Sequence, residues 1–120
     1  MSETTTAHEL EPARVRRLIA EGAQVVDVRT EDEREAARVP GSIHIPLERL
    51  QESADRLDRD RPVVFYCRGG DRSRLAADAF AASGWDAATM AGGIAAWKEQ
   101  GLPLEPEDGE VRAPSGLPPR

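Results

Sequence analysis

Residues 62–73, Pro62-Val63-Val64-Phe65-Tyr66-Cys67-Arg68-Gly69-Gly70-Asp71-Arg72-Ser73, change character at Cys67. Before it runs an unbroken apolar segment, the mark of a strand buried on both faces of a parallel sheet. After it come two glycines and then a helical pattern, in which Leu75, Ala76, Ala79 and Phe80 are expected to turn inward, Ser73 to cap the start and Gly84 to close the end. Strand, tight turn and helix in that order form the repeating unit of an open α/β sheet, and such sheets bind ligands at the carboxyl ends of their strands. Cys67, the only cysteine of the chain, stands at such an end.

Working outward, Gln24 to Val28 reads as a second buried strand, with weaker ones around Thr5 to Glu9, Ser42 to Ile45 and Ala87 to Met90. Pro12 suits the first turn of a helix running to about Ala20, with Val15, Leu18 and Ile19 on one face and Gly22 ending it. Further helices are expected over Glu31 to Ala37, near Leu47 to Leu57, and from Gly92-Gly93 through Gln100. Strands alternating with amphipathic stretches predict an α/β fold with a parallel sheet covered by helices. From Glu105 the chain is rich in proline, glycine and charge without an apolar period. It is therefore divided into one domain, residues 1–104, and a mostly disordered tail, 105–120.

A lone cysteine is most often a small buried hydrophobe. Here the glycine pair lets the backbone curl so that amide N–H groups converge on the sulfur, and the following helix aims the positive end of its dipole at the same point. Such a site favours thiolate and hence a nucleophile.

At 120 residues and 39% apolar content the chain can bury a single core. A net charge of −6 with both signs interspersed argues against nucleic acid or an anionic membrane as a partner. Residues 1–6 lack a positive start and an apolar core, and a single cysteine suits a reducing compartment, so a cytoplasmic protein is expected. His8 and His44 with one cysteine make no ligand set, and neither a metal nor a cofactor is expected. Gly92-Gly93 reads as a tight turn, Trp85 and Trp97 as core aromatics, and Arg29 with Glu33 as an ion pair at a strand-to-helix turn. The run Glu31 to Arg38 reads as a solvated helix face, with pairs such as Glu31 to Arg34 and Glu35 to Arg38.

The segment VVFYCRGGDRS, Val63 to Ser73, resembles the active-site loop of rhodanese-type sulfurtransferases. Three more segments agree in order and spacing: VVDVRTEDE at Val25 to Glu33, VPGSIHIPL at Val39 to Leu47, and MAGGIAAWKEQGLP at Met90 to Pro103. The departures are Arg34, where relatives usually carry an aromatic, and Ala37-Arg38 in place of Gly-His; they lie outside the loop and imply local surface changes.

The resemblance implies the rhodanese-like fold, a central parallel sheet of about five strands with helices on both faces. It also implies a two-step reaction in which the Cys67 thiolate takes the outer sulfur of thiosulfate or a similar donor and passes it from the persulfide to cyanide, a thiol or a protein acceptor. Within that scheme Arg68 pairs with the anionic donor, and Gly69 and Gly70 supply backbone donors. Arg72 ends the loop and either steadies the thiolate or, preferably, braces the loop by pairing with Asp27. Asp71 weakens binding of an anion unless it points outward or pairs with Arg72 or Arg74. Phosphatases and arsenate reductases with a cysteine loop enclose one residue more than the four between Cys67 and Arg72, and the smaller ring of amides suits one added sulfur better than a tetrahedral oxyanion. A persulfide carrier or interaction module without turnover is the second reading, and a phosphatase or arsenate reductase with a shortened loop the third.

Overall fold

A computed structural model of the chain describes residues 7–113. Five parallel strands, β1 (His8–Leu10), β2 (Gln24–Asp27), β3 (Ile43–His44), β4 (Val63–Tyr66) and β5 (Ala87–Met90), lie in the order β1-β5-β4-β2-β3. The start of the first expected strand, Thr5 and Thr6, lies outside the described residues. The helices are α1 (Pro12–Ala20), α2 (Glu31–Ala36), α3 (Asp71–Ala82) and α4 (Gly93–Glu99). None is long and apolar enough to cross a membrane.

Strand alternation divides the core into two layers. Val26, Val63, Phe65, Cys67 and Ala87 face α3, with Ala76, Ala77, Phe80 and Ala81 packed against them. Val25, Val64, Tyr66, Ala88 and Met90 face the other way, toward Val15 of α1 and Ile94 and Trp97 of α4. Helices therefore cover both faces of the sheet, and Cys67 continues the α3-facing phase of β4.

Three expectations about elements need correction. The helix over Leu47 to Leu57 is two single 3₁₀ turns, Leu47–Arg49 and Ala54–Arg56, which deliver Leu50 and Leu57 to the core. On α3 the buried stripe is Ser73, Ala76, Ala77, Phe80 and Ala81, whereas Leu75 is 68% exposed. Alanine carries little apolar signal, so the one leucine drew the phase of the helix away from its real face. Leu75 instead flanks a cleft of about 420 Å³ beside Leu47, Leu50, Phe80 and Trp85. Finally, the segment after Leu104 keeps to the domain as far as Val111. Arg38 and Glu105 exchange backbone hydrogen bonds of 2.8 and 2.9 Å, the Glu110 amide donates to the Ala36 carbonyl at 3.1 Å, and Val111 packs on the α1/α4 core. Residues 114–120 of the expected tail lie outside the described residues.

Candidate active site

The first residue after β4 is Cys67, and its side chain is held from the front by the loop that follows. The amides of Gly70 and Ser73 donate to Sγ at 3.1 and 3.4 Å, and the Ser73 hydroxyl lies 3.5 Å away. Gly70 reaches this position at φ +118°, in the region that only glycine occupies readily, and serves as the N-cap of α3. The sulfur thus sits at the start of a twelve-residue helix. Cys67 is only 1% exposed. Ser73 is not the cap expected from the sequence, because α3 already begins at Asp71. Its hydroxyl instead bonds back to the Gly70 carbonyl at 3.2 Å and to Thr89 Oγ1 at 2.7 Å, tying the loop to β5.

From behind, the loop is gripped by α4. The Ile94 and Ala95 amides donate to the carbonyls of Cys67 and Arg68 at 2.9 and 3.1 Å. In a trans peptide the C=O and the next N–H point in opposite directions, so pinning these two carbonyls on α4 turns the amides of Arg68 and Gly69 away from it. The close approach depends on Gly93, at φ +61°, where a Cβ would lie 2.4 Å from the Arg68 carbonyl oxygen and 2.5 Å from that of Cys67. The Gly92-Gly93 turn is therefore part of the cysteine site, a role its reading as a simple tight turn missed.

Arg72 does brace the loop, but its partner is Glu33 and not Asp27. Its Nη1 and Nη2 donate to the two Glu33 oxygens at 2.8 and 2.9 Å. The reason is strand phase. Asp27 pairs in register with Tyr66 and shares its face, opposite α3, while Glu33 approaches from α2. Glu33 also closes a capping box: its Oε1 accepts from the Thr30 amide and hydroxyl at 3.1 and 3.0 Å, and Thr30 Oγ1 accepts from the Glu33 amide at 3.4 Å. Burial pushes the Glu33 carboxyl up, yet the hydrogen bonds from Arg72 and Thr30 outweigh it and hold the group below its ordinary value. The spacing Thr30-Glu31-Asp32-Glu33 carries the capping signal, which sets Glu33 apart from the solvated face expected for the rest of the run.

Asp27, expected as Arg72's partner, anchors a separate buried network. Its oxygens accept from Arg29 Nε and Nη2, both at 2.8 Å, from Arg34 Nη1 at 3.3 Å and from the Tyr66 hydroxyl at 3.2 Å. The expected ion pair of Arg29 with Glu33 is thus replaced by Arg29 with Asp27 and Glu33 with Arg72. Burial first, and the Asp27 charge second, push the Tyr66 hydroxyl up to about 12, so it stays a donor. Arg34 and Ala37 are more than surface changes: Arg34 also donates to the Ser42 carbonyl at 2.7 Å, and the buried Ala37 accepts from Arg29 at 2.6 Å. This network fixes the chain leaving β2 and the α2 start from which Glu33 reaches the loop.

The rim of the site is formed by Arg68, Gly69 and Asp71, all exposed. Arg74 is drawn away toward Glu9 at 3.6 Å and Asp78 at 4.0 Å. Among the described residues Asp71 and Arg68 have no ion-pair partner, so Asp71 is not neutralised by Arg72 or Arg74, whose partners are Glu33, Glu9 and Asp78.

Comparison with known proteins agrees with this geometry. The family model described as Rhodanese-like domain matches residues 11–100. The chain is 35% identical over 97 residues to an HTH-type transcriptional regulator of Mycobacterium tuberculosis, covering 76% of this chain and 41% of that protein. The chain therefore spans less than half the length of that relative. It is 32% identical over 107 residues to a thiosulfate sulfurtransferase GlpE of Pseudomonas aeruginosa, covering 88% of this chain and 96% of the relative. A rhodanese-related protein from Thermoplasma volcanium superposes with a TM-score of 0.76 at 30% identity, over 81% of this chain and 96% of that one. With its five-stranded parallel sheet, its cysteine at the end of the central strand and a matching family model over most of its length, this chain belongs to the rhodanese-like domain family.

Proposed function

We propose that this protein is a sulfurtransferase that carries a sulfane sulfur on Cys67. The observation that supports this most is the pair of amides, from Gly70 and Ser73, directed at Sγ within a ring of four residues between Cys67 and Arg72. Two N–H donors and a helix N-terminus stabilise negative charge on a sulfur without any metal or external base.

In the first half-reaction the Cys67 thiolate attacks the outer sulfur of a donor such as thiosulfate. A Cys67 S–S bond forms, the donor's own S–S bond breaks, and its electron pair leaves with sulfite. In the second, cyanide or a thiol attacks the outer sulfur, and the Cys67 thiolate leaves. Arg68, exposed beside the nucleophile, is positioned to meet the donor's anionic end. Gly69 leaves the approach open, since no side chain stands there. A reducing, cytoplasmic setting suits a thiol that must return to the free state after each cycle. The name of the Pseudomonas aeruginosa relative makes thiosulfate the first donor to test.

The test is the intact mass of the protein after incubation with thiosulfate, then cyanide addition and thiocyanate detection, with Cys67→Ser alongside. A gain of one sulfur on Cys67, removed by cyanide with turnover, is expected. Sulfur gained without turnover would leave a carrier, and thiocyanate released by the serine variant would end the proposal.

A further inference from the structure

We propose that Asp71 selects the sulfur donor by charge, disfavouring dianions relative to donors with one negative charge. This rests on the Cys67 persulfide reading. Three arginines, Arg68, Arg72 and Arg74, and one carboxylate, Asp71, lie on or just after the loop, and the structure sorts them. Arg72 is neutralised by Glu33 through two hydrogen bonds of 2.8 and 2.9 Å. Arg74 turns toward Glu9 and Asp78. Among the described residues, that leaves Arg68 and Asp71 as the rim charges without an ion-pair partner, one positive and one negative. The mouth of the cradle is therefore formally neutral, and it leads to a sulfur that must itself be anionic to react. A dianionic donor meets one cation, one carboxylate and one thiolate.

Position makes Asp71 effective. It is the first residue of α3, bonded to Gly70, whose amide donates to Sγ at 3.1 Å. The helix dipole accounts for a carboxylate being stable there, and its charge, exposed and unpaired on the rim, acts on any anion that comes to the loop. Donors of lower charge lose less. For a monoanionic donor R–S–S⁻ the chemistry is unchanged: the Cys67 thiolate forms a bond to the outer sulfur, the donor's S–S bond breaks, and the thiolate R–S⁻ departs with the electron pair, leaving the Cys67 persulfide anion.

The experiment compares thiosulfate with methanethiosulfonate, in which a methyl group replaces one charged oxygen and the net charge falls from two to one. Wild type, Asp71→Asn and Asp71→Glu are assayed as the full chain at low ionic strength, with cyanide as acceptor and thiocyanate as readout. Removing one exposed charge from the rim should raise kcat/KM about five- to tenfold for the dianion and about two- to threefold for the monoanion. The ratio between donors thus shifts about threefold toward thiosulfate in Asp71→Asn, stays at the wild-type value in Asp71→Glu, and the shift shrinks in high salt. An unchanged ratio in Asp71→Asn overturns the inference while leaving the persulfide reading standing. If neither donor adds sulfur to Cys67, the persulfide reading itself falls and the inference with it.

Discussion

Glu33 and Arg72 meet in a two-pronged ion pair, 2.8 and 2.9 Å, in which the Glu33 side chain is wholly buried and that of Arg72 is 26% exposed. The pair joins the start of α2 to the start of α3, so the loop between Cys67 and Arg72 is tethered to a helix that contributes nothing else to the rim. Glu33→Ala should destabilise the fold by about 3 kcal/mol, because it strands a partly buried guanidinium and dismantles the capping box together. A double-mutant cycle with Arg72→Ala, followed by urea unfolding, should return a coupling of about 1–3 kcal/mol. Additive losses would mean that the pair does not act as a unit.

Acid should loosen the same contact. Glu33 is held below its ordinary carboxyl value in the folded protein, so its stabilisation is fully present above the unfolded value of about 4.3 and is lost as pH falls through the lower folded value. Glu33→Gln should therefore have a flatter stability profile than wild type below about pH 5. Thermal melts across that range check the difference, and parallel profiles would count against it.

Gly93→Ala is expected to damage the site more than its size suggests. The new methyl would stand 2.4 Å from the Arg68 carbonyl oxygen at a backbone angle of φ +61°. A loss of about 2–4 kcal/mol in stability should accompany a fall in the rate of Cys67 alkylation by a small iodoacetamide probe, since shifted carbonyls release the opposing amides. Gly101→Ala, also at positive φ but with no atom within 4 Å of the new Cβ, serves as the control for backbone strain alone.

Arg68→Ala should raise KM for thiosulfate several-fold with little change in kcat, the pattern of an interaction made equally in ground and transition states. The measurement is steady-state thiocyanate formation. An unchanged KM would return Arg68 to the ordinary solvated surface.

Arg34→Ala should weaken the Asp27 network without emptying it, because Arg29 continues to hold both carboxylate oxygens. Loss of the contacts to Asp27 and Ser42 predicts about 1–2 kcal/mol by chemical denaturation. A loss near zero would make Arg34 the surface change that the sequence suggested.

How far the sequence carried the reading depends on which residues spoke clearly. Val63 to Tyr66 and the glycines after Cys67 announce a buried strand and a tight turn with chemistry that few other arrangements share, and the loop was legible for that reason. Partners across the fold were harder. Asp27 and Arg72 suggest a pair by charge and by strand position, but a one-residue difference in phase sets Asp27 on the far face, beside Tyr66. Glu33 was hidden among neighbours of its own kind, since nothing in a run of acids and arginines marks which one turns inward except the capping-box spacing from Thr30. Gly93 posed the opposite difficulty. Its value lies in the atoms it lacks, and only the carbonyls pressed against it reveal them.

That last contact also bears on transplantation. Cys67 and Gly93 are distant in sequence, yet the carbonyl oxygens of Cys67 and Arg68 occupy the volume where any other side chain at position 93 would begin. The reactive loop is consequently not a portable peptide. To install it in another scaffold, a designer would have to graft three separated pieces in register: the strand and turn bearing Cys67, the helix start bearing Glu33, and the Gly92-Gly93 corner. The loop alone would arrive with its amides unaimed.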